Sequence, residues 1–289
     1  MSNSTSDFNP ELLISHKYPE TTTTYTERDA VIYALGVGVC GRNAVENDEL
    51  KYVYHEKGQQ FVKVLPTFSA LFSIESMQDG VLKLPGFDIL LTNEFGRFNV
   101  ASAFGNILRI LKKGKAAIAE VEIRSYEKDS GELLCMNRVS AFLRGAGGFS
   151  KSSPPFSYSN YPKNQTTVVK IPETQPLTAL LYRLSGDYNP LHSDPMVAKV
   201  AGFSQPILHG LCTLGFAVRA IIKCICRGDP DLVKSISGRF LLHVYPGETL
   251  ITEMWLDGLR VIYQTKVKER NHQTVLSGFV DLHRLPLSP

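Results

Sequence analysis

The sequence predicts an α+β fold made of two tandem copies of one unit, each a helix followed by antiparallel strands. Three observations carry this reading. Ile32-Tyr33-Ala34-Leu35-Gly36 lines up with Leu181-Tyr182-Arg183-Leu184-Ser185, and Val64-Leu65-Pro66-Thr67 occupies the place of Ile207-Leu208-His209-Gly210. The chain thus repeats itself once, at a spacing of about 150 residues. In each copy two strand-like runs flank a polar turn: 116–126 and 133–143 around Lys128-Asp-Ser-Gly, then 261–269 and 274–283 around Arg270-Asn-His. Between the copies, Arg144-Gly-Ala-Gly-Gly-Phe-Ser-Lys-Ser-Ser-Pro-Pro has few large apolar residues and the composition of a linker. The expected organisation is a first unit over residues 1–144, a linker over 145–165 and a second unit over 166–289.

The elements of the second copy follow from local signals. Thr178 can cap a helix over 179–185. A second helix is expected over 211–227, closed by Gly228 with Pro230 beyond it. Pro246-Gly247-Glu248 then turns into the alternating strand Thr249-Leu-Ile-Thr-Glu-Met-Trp.

Composition excludes several classes. With 43% hydrophobic and 20% charged residues the chain has the make-up of a soluble globular protein. Net charge is +3 without a long basic block, so no nucleic-acid partner is expected, although a mildly basic surface suits a ligand carrying phosphates. The five cysteines lie in or beside apolar segments and read as reduced thiols. Cys224 and Cys226 do not have zinc-ligand spacing, and no metal is expected. The N-terminus lacks a secretory pattern. The apolar stretch 211–225 carries Arg219 and Lys223, too short and too charged to span a bilayer. An intracellular protein with no membrane span is the expectation.

Chemistry concentrates between Leu181 and Gly210. Asp187, Asn189, His192 and His209 stand there among glycines, where a purely structural segment would carry apolar residues. Asp187 and His192 are five residues apart, about 140° round a helix axis, so a helix does not unite them. Pro190 excludes Asn189 from the helical region and ends a helix arriving through Tyr182. The forced turn can fold Asp187, Asn189 and His192 towards one point, a geometry suited to acid–base work on a bound molecule. Taken singly, Gly186-Asp187 is an ordinary turn and Asn189-Pro190 an ordinary helix stop. The joint spacing with Gly210 gives the functional reading its weight. His209 reads as a packed or hydrogen-bonded histidine before a second catalytic base, and His243 and His272 as strand or surface residues.

Tyr182, Leu184, Ser185-Gly186-Asp187, Asn189-Pro190-Leu191-His192 and Ala198, followed by Ile207-Leu208-His209-Gly210, resemble the hydratase motif of the R-specific (type-2) enoyl-CoA hydratases. These form the MaoC-like branch of the hot-dog family. The wider sequence is similar to the plant and peroxisomal two-domain members. The resemblance implies a double hot-dog fold, in which each curved antiparallel sheet wraps a long helix. It implies hydration of trans-2-enoyl-CoA to (3R)-3-hydroxyacyl-CoA in fatty-acid β-oxidation, with Asp187 as principal base, His192 sharing the proton transfer and Asn189 orienting the site. Gly210 would lend its backbone N–H to the thioester oxygen. Gly38 stands opposite Asp187 and no Asn-Pro-Leu-His follows it; the resemblance implies that the first copy is a degenerate one that makes room for an acyl chain. Further expectations are substrate contacts at His209, Arg239, Lys266 and Lys268, no cofactor beyond the coenzyme A of the substrate, a homodimer, and a peroxisomal location. The terminal Leu287-Ser288-Pro289 is not an import signal of the Ser-Lys-Leu type.

Two stretches depart from the relatives. The segment 88–111 does not follow their strand pattern, so the first sheet is expected to lack its opening strands, and the segment 176–180 is short. These leave open an impaired splice or paralogue form that only binds acyl-CoA. A hot-dog acyl-CoA thioesterase is the other alternative.

Overall fold

The computed structural model describes residues 20–41, 47–73, 104–113, 116–144, 167–173 and 178–287. The expected linker, the stretch 88–103 and the pair Pro176-Leu177 lie outside them. Contacts divide the chain into two compact units, one of residues 1–24 and 69–156, the other of residues 25–68 and 157–289.

The first unit carries an antiparallel sheet in the order β1 (Phe104–Lys113), β2 (Ala116–Tyr126), β3 (Leu133–Arg144). β2 and β3 fall where period-two alternation put them, and Gly131 closes their turn at φ 71°. β1 supplies one opening strand that the first sheet was expected to lack, because residues 104–111 belong to it; the remainder of the departing stretch, 88–103, lies outside the described residues. Its ladder with β2 runs Ile107↔Val121 and then Arg109↔Glu120, so Leu108 is an extra residue. A bulge of this kind shifts the side-chain alternation by one, which hides a strand from a period-two reading.

The second unit holds a five-stranded antiparallel sheet in the order β4-β6-β7-β8-β5, made of β4 (Thr167–Glu173), β5 (Val233–Phe240), β6 (Thr249–Asp257), β7 (Arg260–Val267) and β8 (Gln273–Leu282). Its helices are α1 (Glu27–Gly36), α2 (Asn47–Leu50), α3 (Thr178–Arg183), α4 (Pro195–Val200) and α5 (Gly210–Cys224). α3 starts at Thr178 itself, and α5 stops three residues short of the expected Arg227. Arg227 and Gly228 leave it with φ of 51° and 83°.

α5 is apolar on every side, with residues from Leu211 through Ile222 buried except Arg219, as a central helix must be. One side meets the sheet: a Cβ added to Gly238 would lie 3.0 Å from Leu214. The other side meets residues 25–68: a Cβ added to Gly215 would lie 3.0 Å from Val37 Cβ and 3.1 Å from the Tyr33 hydroxyl. α1 packs on α3 just as closely, a Cβ on Gly36 falling 3.2 Å from Tyr182 Cα. Glu49 reaches α5 as well, pairing with Arg219 through two hydrogen bonds of 2.6 and 2.7 Å. These contacts are why residues 25–68, assigned by the repeat to the first unit, share a compact unit with residues 157–289.

Candidate active site

α3 delivers the chain into the motif through Gly186, whose φ of 112° favours glycine. Asn189 then caps the one-turn 3-10 helix Pro190–His192, its side-chain oxygen accepting from the Leu191 N–H at 3.0 Å. Asp187 Oδ1 accepts from the Asn189 N–H at 3.3 Å. Asn189 thus shapes the turn with its side chain and holds the carboxylate with its backbone. Leu191 is buried beneath, and Asp194 caps α4. Leu208 bonds to Val244 O at 2.7 Å, which fixes the strand-like approach to His209 and α5.

Asp187, His192 and His209 are all buried, at 3%, 5% and 0% exposure. His192 Nδ1 lies 2.8 Å from Ile207 O. A carbonyl only accepts, so Nδ1 carries the hydrogen and Nε2 presents a bare lone pair. His209 Nε2 lies 3.1 Å from the backbone oxygen of Asp187, and the same reasoning leaves its Nδ1 bare. The two imidazoles stack face to face, centroids 3.7 Å apart and planes at 27°.

Burial dominates the electrostatics. It pushes the Asp187 carboxyl above the usual carboxylate range, while His192, the Asn189 N–H and Arg183 pull the other way. Burial pushes His192 below the usual imidazole range against the pull of Asp187. His209 is held well below that range by burial and then by His192 beside it. The site thus draws the proton affinities of Asp187 and His192 towards each other, a condition suited to acid–base chemistry near neutrality.

Asp187, His192 and His209 each place one donor atom within 4.8 Å of the others. Stacked ring planes set the in-plane lone pairs side by side instead of aiming them at one point, a poor match to a tetrahedral metal cage. Gly210 is the first residue of α5, so its N–H is among those without an intrahelical partner, at the positive end of the helix dipole. A Cβ on Gly210 would meet the Phe240 ring at 3.3 Å, so only glycine fits there without displacing that ring.

The four expected catalytic residues thus fall along one turn and the helix terminus beside it. The expected substrate contacts do not join them. His209 has no accessible surface and gives its Nε2–H to the backbone oxygen of Asp187. Gly238, Tyr263 and Leu276 line the sheet face that meets α5. Alternation turns Arg239 and Lys266 to the opposite face. Lys266 is further tied to Glu253 at 2.8 Å, and Lys268 is exposed in the turn after β7. Sequence reasoning missed the Ile207 carbonyl and the Tyr182 ring, 4.9 Å from the His209 ring. The hints of Tyr182 were its alignment with Tyr33 and its place at the head of the hydratase motif.

Comparison with known proteins places the chain in a family. Residues 159–276 match the MaoC like domain, and residues 23–93 match the MFE-2 hydratase 2 N-terminal domain. The peroxisomal enoyl-CoA hydratase 2 of Arabidopsis thaliana is 60% identical over 314 residues, covering 100% of both chains. That alignment is longer than this chain, so the relative carries residues without counterparts here. The peroxisomal multifunctional enzyme type 2 of Mus musculus is 37% identical over 285 residues, 93% of this chain and 38% of that one. A MaoC-like dehydratase from Phytophthora capsici, known from its crystal structure, superposes with a TM-score of 0.73 at 29% identity, covering 96% of this chain and 98% of the other. With a hot-dog sheet wrapped on α5 and relatives matched along its whole length, the chain belongs to the MaoC-like enoyl-CoA hydratase 2 family.

Proposed function

We propose that this protein adds water to trans-2-enoyl-CoA to give (3R)-3-hydroxyacyl-CoA, as a hydro-lyase of peroxisomal β-oxidation. The observation that carries the reading is the buried carboxylate of Asp187 beside the bare Nε2 of His192, next to the N-terminus of α5. A water held by the two gives its oxygen to C3, and its proton passes to the Asp187–His192 pair. The same pair returns one proton to C2, so the atoms of one water are added and nothing is oxidised. Addition on one face follows from a single pair serving both carbons. Negative charge on the thioester oxygen is met by the Gly210 N–H and the helix dipole, an arrangement of the oxyanion-hole kind. Asn189 orients Asp187. The reaction asks for no cofactor beyond the coenzyme A carried by the substrate.

The relatives' names supply the peroxisomal setting, and the family resemblance supplies the homodimer, which light scattering on the purified chain tests. No helix among the described residues is long and apolar enough to cross a membrane. The activity is tested by following enoyl absorbance and free thiol together on the full chain, with chiral analysis of the product. Loss of enoyl absorbance without thiol release, giving the 3R product, supports the proposal. Thiol release points to a thioesterase, and binding without turnover to an impaired form.

A further inference from the structure

Behind the Asp187–His192 pair stands a continuous column of rings. His192 stacks on His209, whose centroid is 4.9 Å from Tyr182; Tyr182 is 5.8 Å from Tyr33, and Tyr33 is 5.4 Å from Phe68. Tyr25 closes the outer end, 5.4 Å from Phe68. Tyr33, Phe68, Tyr182 and His209 are all buried. The column therefore begins in residues 25–68 and ends on the imidazole with the bare Nε2.

His209 is the joint of this arrangement. Its ring covers one face of His192, its Nε2–H holds the backbone oxygen of Asp187, and its own backbone leads directly into Gly210. One side chain thus touches both members of the proton-transfer pair and adjoins the candidate oxyanion donor. A residue needed only to fill space would serve as well as phenylalanine, yet that would leave the buried Asp187 carbonyl without this donor.

Resting on the hydratase reading, we propose that His209 is a positioning residue that fixes His192, Asp187 and the α5 terminus relative to one another. The Tyr182–Tyr33–Phe68 rings are its backstop. The first copy of the repeat, in which Gly38 stands opposite Asp187, would then contribute rigid support to the site.

The test compares wild type with His209→Ala, His209→Gln and His209→Phe on the full chain. Gln can present an N–H near the position of imidazole Nε2, and Phe keeps the ring alone. Misplacing reacting groups by about 1 Å costs about 100-fold, so kcat of the Ala variant should fall by about that factor with little change in KM. Gln should recover at least about a tenth of wild-type kcat, and Phe less than Gln. In the Ala variant the acid limb of kcat/KM should also move, since water then reaches His192. Asp187, His209, Arg183 and Tyr182 are ionisable groups that act on or adjoin this cluster. Losses that merely follow the drop in melting temperature, with no rescue by Gln and an unmoved acid limb, would overturn the proposal; so would native kcat in a folded Ala variant.

A wild type that hydrates nothing would instead sink the hydratase reading. In that case nitrogen NMR of the His192 ring decides the positioning role without turnover. One Nδ1–H tautomer is expected in wild type and tautomer exchange in the Ala variant, and identical spectra would reject the role.

Discussion

The ring of His209 lies 3.7 Å from that of His192 at 27°, and neither imidazole is open to bulk water. Two protonated rings in that position would repel each other in a poorly screened interior. Burial holds both below the usual imidazole value of 6.5, and His192 pushes His209 down further. In the unfolded chain they take up protons near 6.5, whereas in the folded state they resist. Folding stability is therefore untouched by these groups above that pH and falls as pH drops through it towards their folded values. Chemical denaturation at a series of pH values should show this fall. His209→Gln should make it shallower.

Asp187→Asn should abolish hydration while leaving the melting temperature at neutral pH unchanged or higher. The amide keeps an oxygen for the Asn189 N–H and gives up the charge that burial opposes. Because the folded carboxyl is shifted upward, its ionised form weakens the fold above the folded value, and the penalty vanishes below the ordinary 3.8. An activity assay paired with thermal melts checks both halves. His192→Ala should also remove activity, and near-native turnover in either variant would contradict the assigned roles.

Gly210→Ala tests the helix terminus. Its new methyl would press on the Phe240 ring at 3.3 Å, so either the ring or the start of α5 shifts by a few tenths of an ångström. The N–H survives but moves, so the loss should be smaller than the ~100-fold or more seen when an oxyanion donor is deleted. A kcat reduced about tenfold with substrate affinity retained is the expected outcome of steady-state kinetics.

Glu49 and Arg219 tie residues 25–68 to α5 from almost full burial, with 4% and 12% of their side chains exposed. Glu49 also accepts from the Cys40 N–H at 3.0 Å. Removing one partner strands a buried charge, at about 3–5 kcal/mol. Arg219→Ala should therefore lower the denaturation midpoint sharply. Arg219→Ala combined with Glu49→Gln should recover part of the loss, because the second change removes the stranded charge.

Local chemistry in the sequence determined the two-copy plan, the strands β2, β3, β6, β7 and β8, and the turn carrying Asp187, Asn189 and His192. The plan rests on the repeat, and the rest on neighbours a few residues away: alternation for the strands, and for the turn Pro190, which forbids the helix that would have separated the pair. β1 escaped because the bulge at Leu108 breaks the alternation that identifies a strand. Only the tertiary structure decided the surroundings of the site. Alternation says that Arg239 and Lys266 face away from their strand neighbours but not which face α5 will cover, and packing turned both outward. The stack of His209 on His192, and the rings of Tyr182, Tyr33 and Phe68 behind it, come from distant segments that meet only when α1 docks on α3 and α5. That docking is governed by close approaches at Gly36 and Gly215, which a linear pattern does not encode.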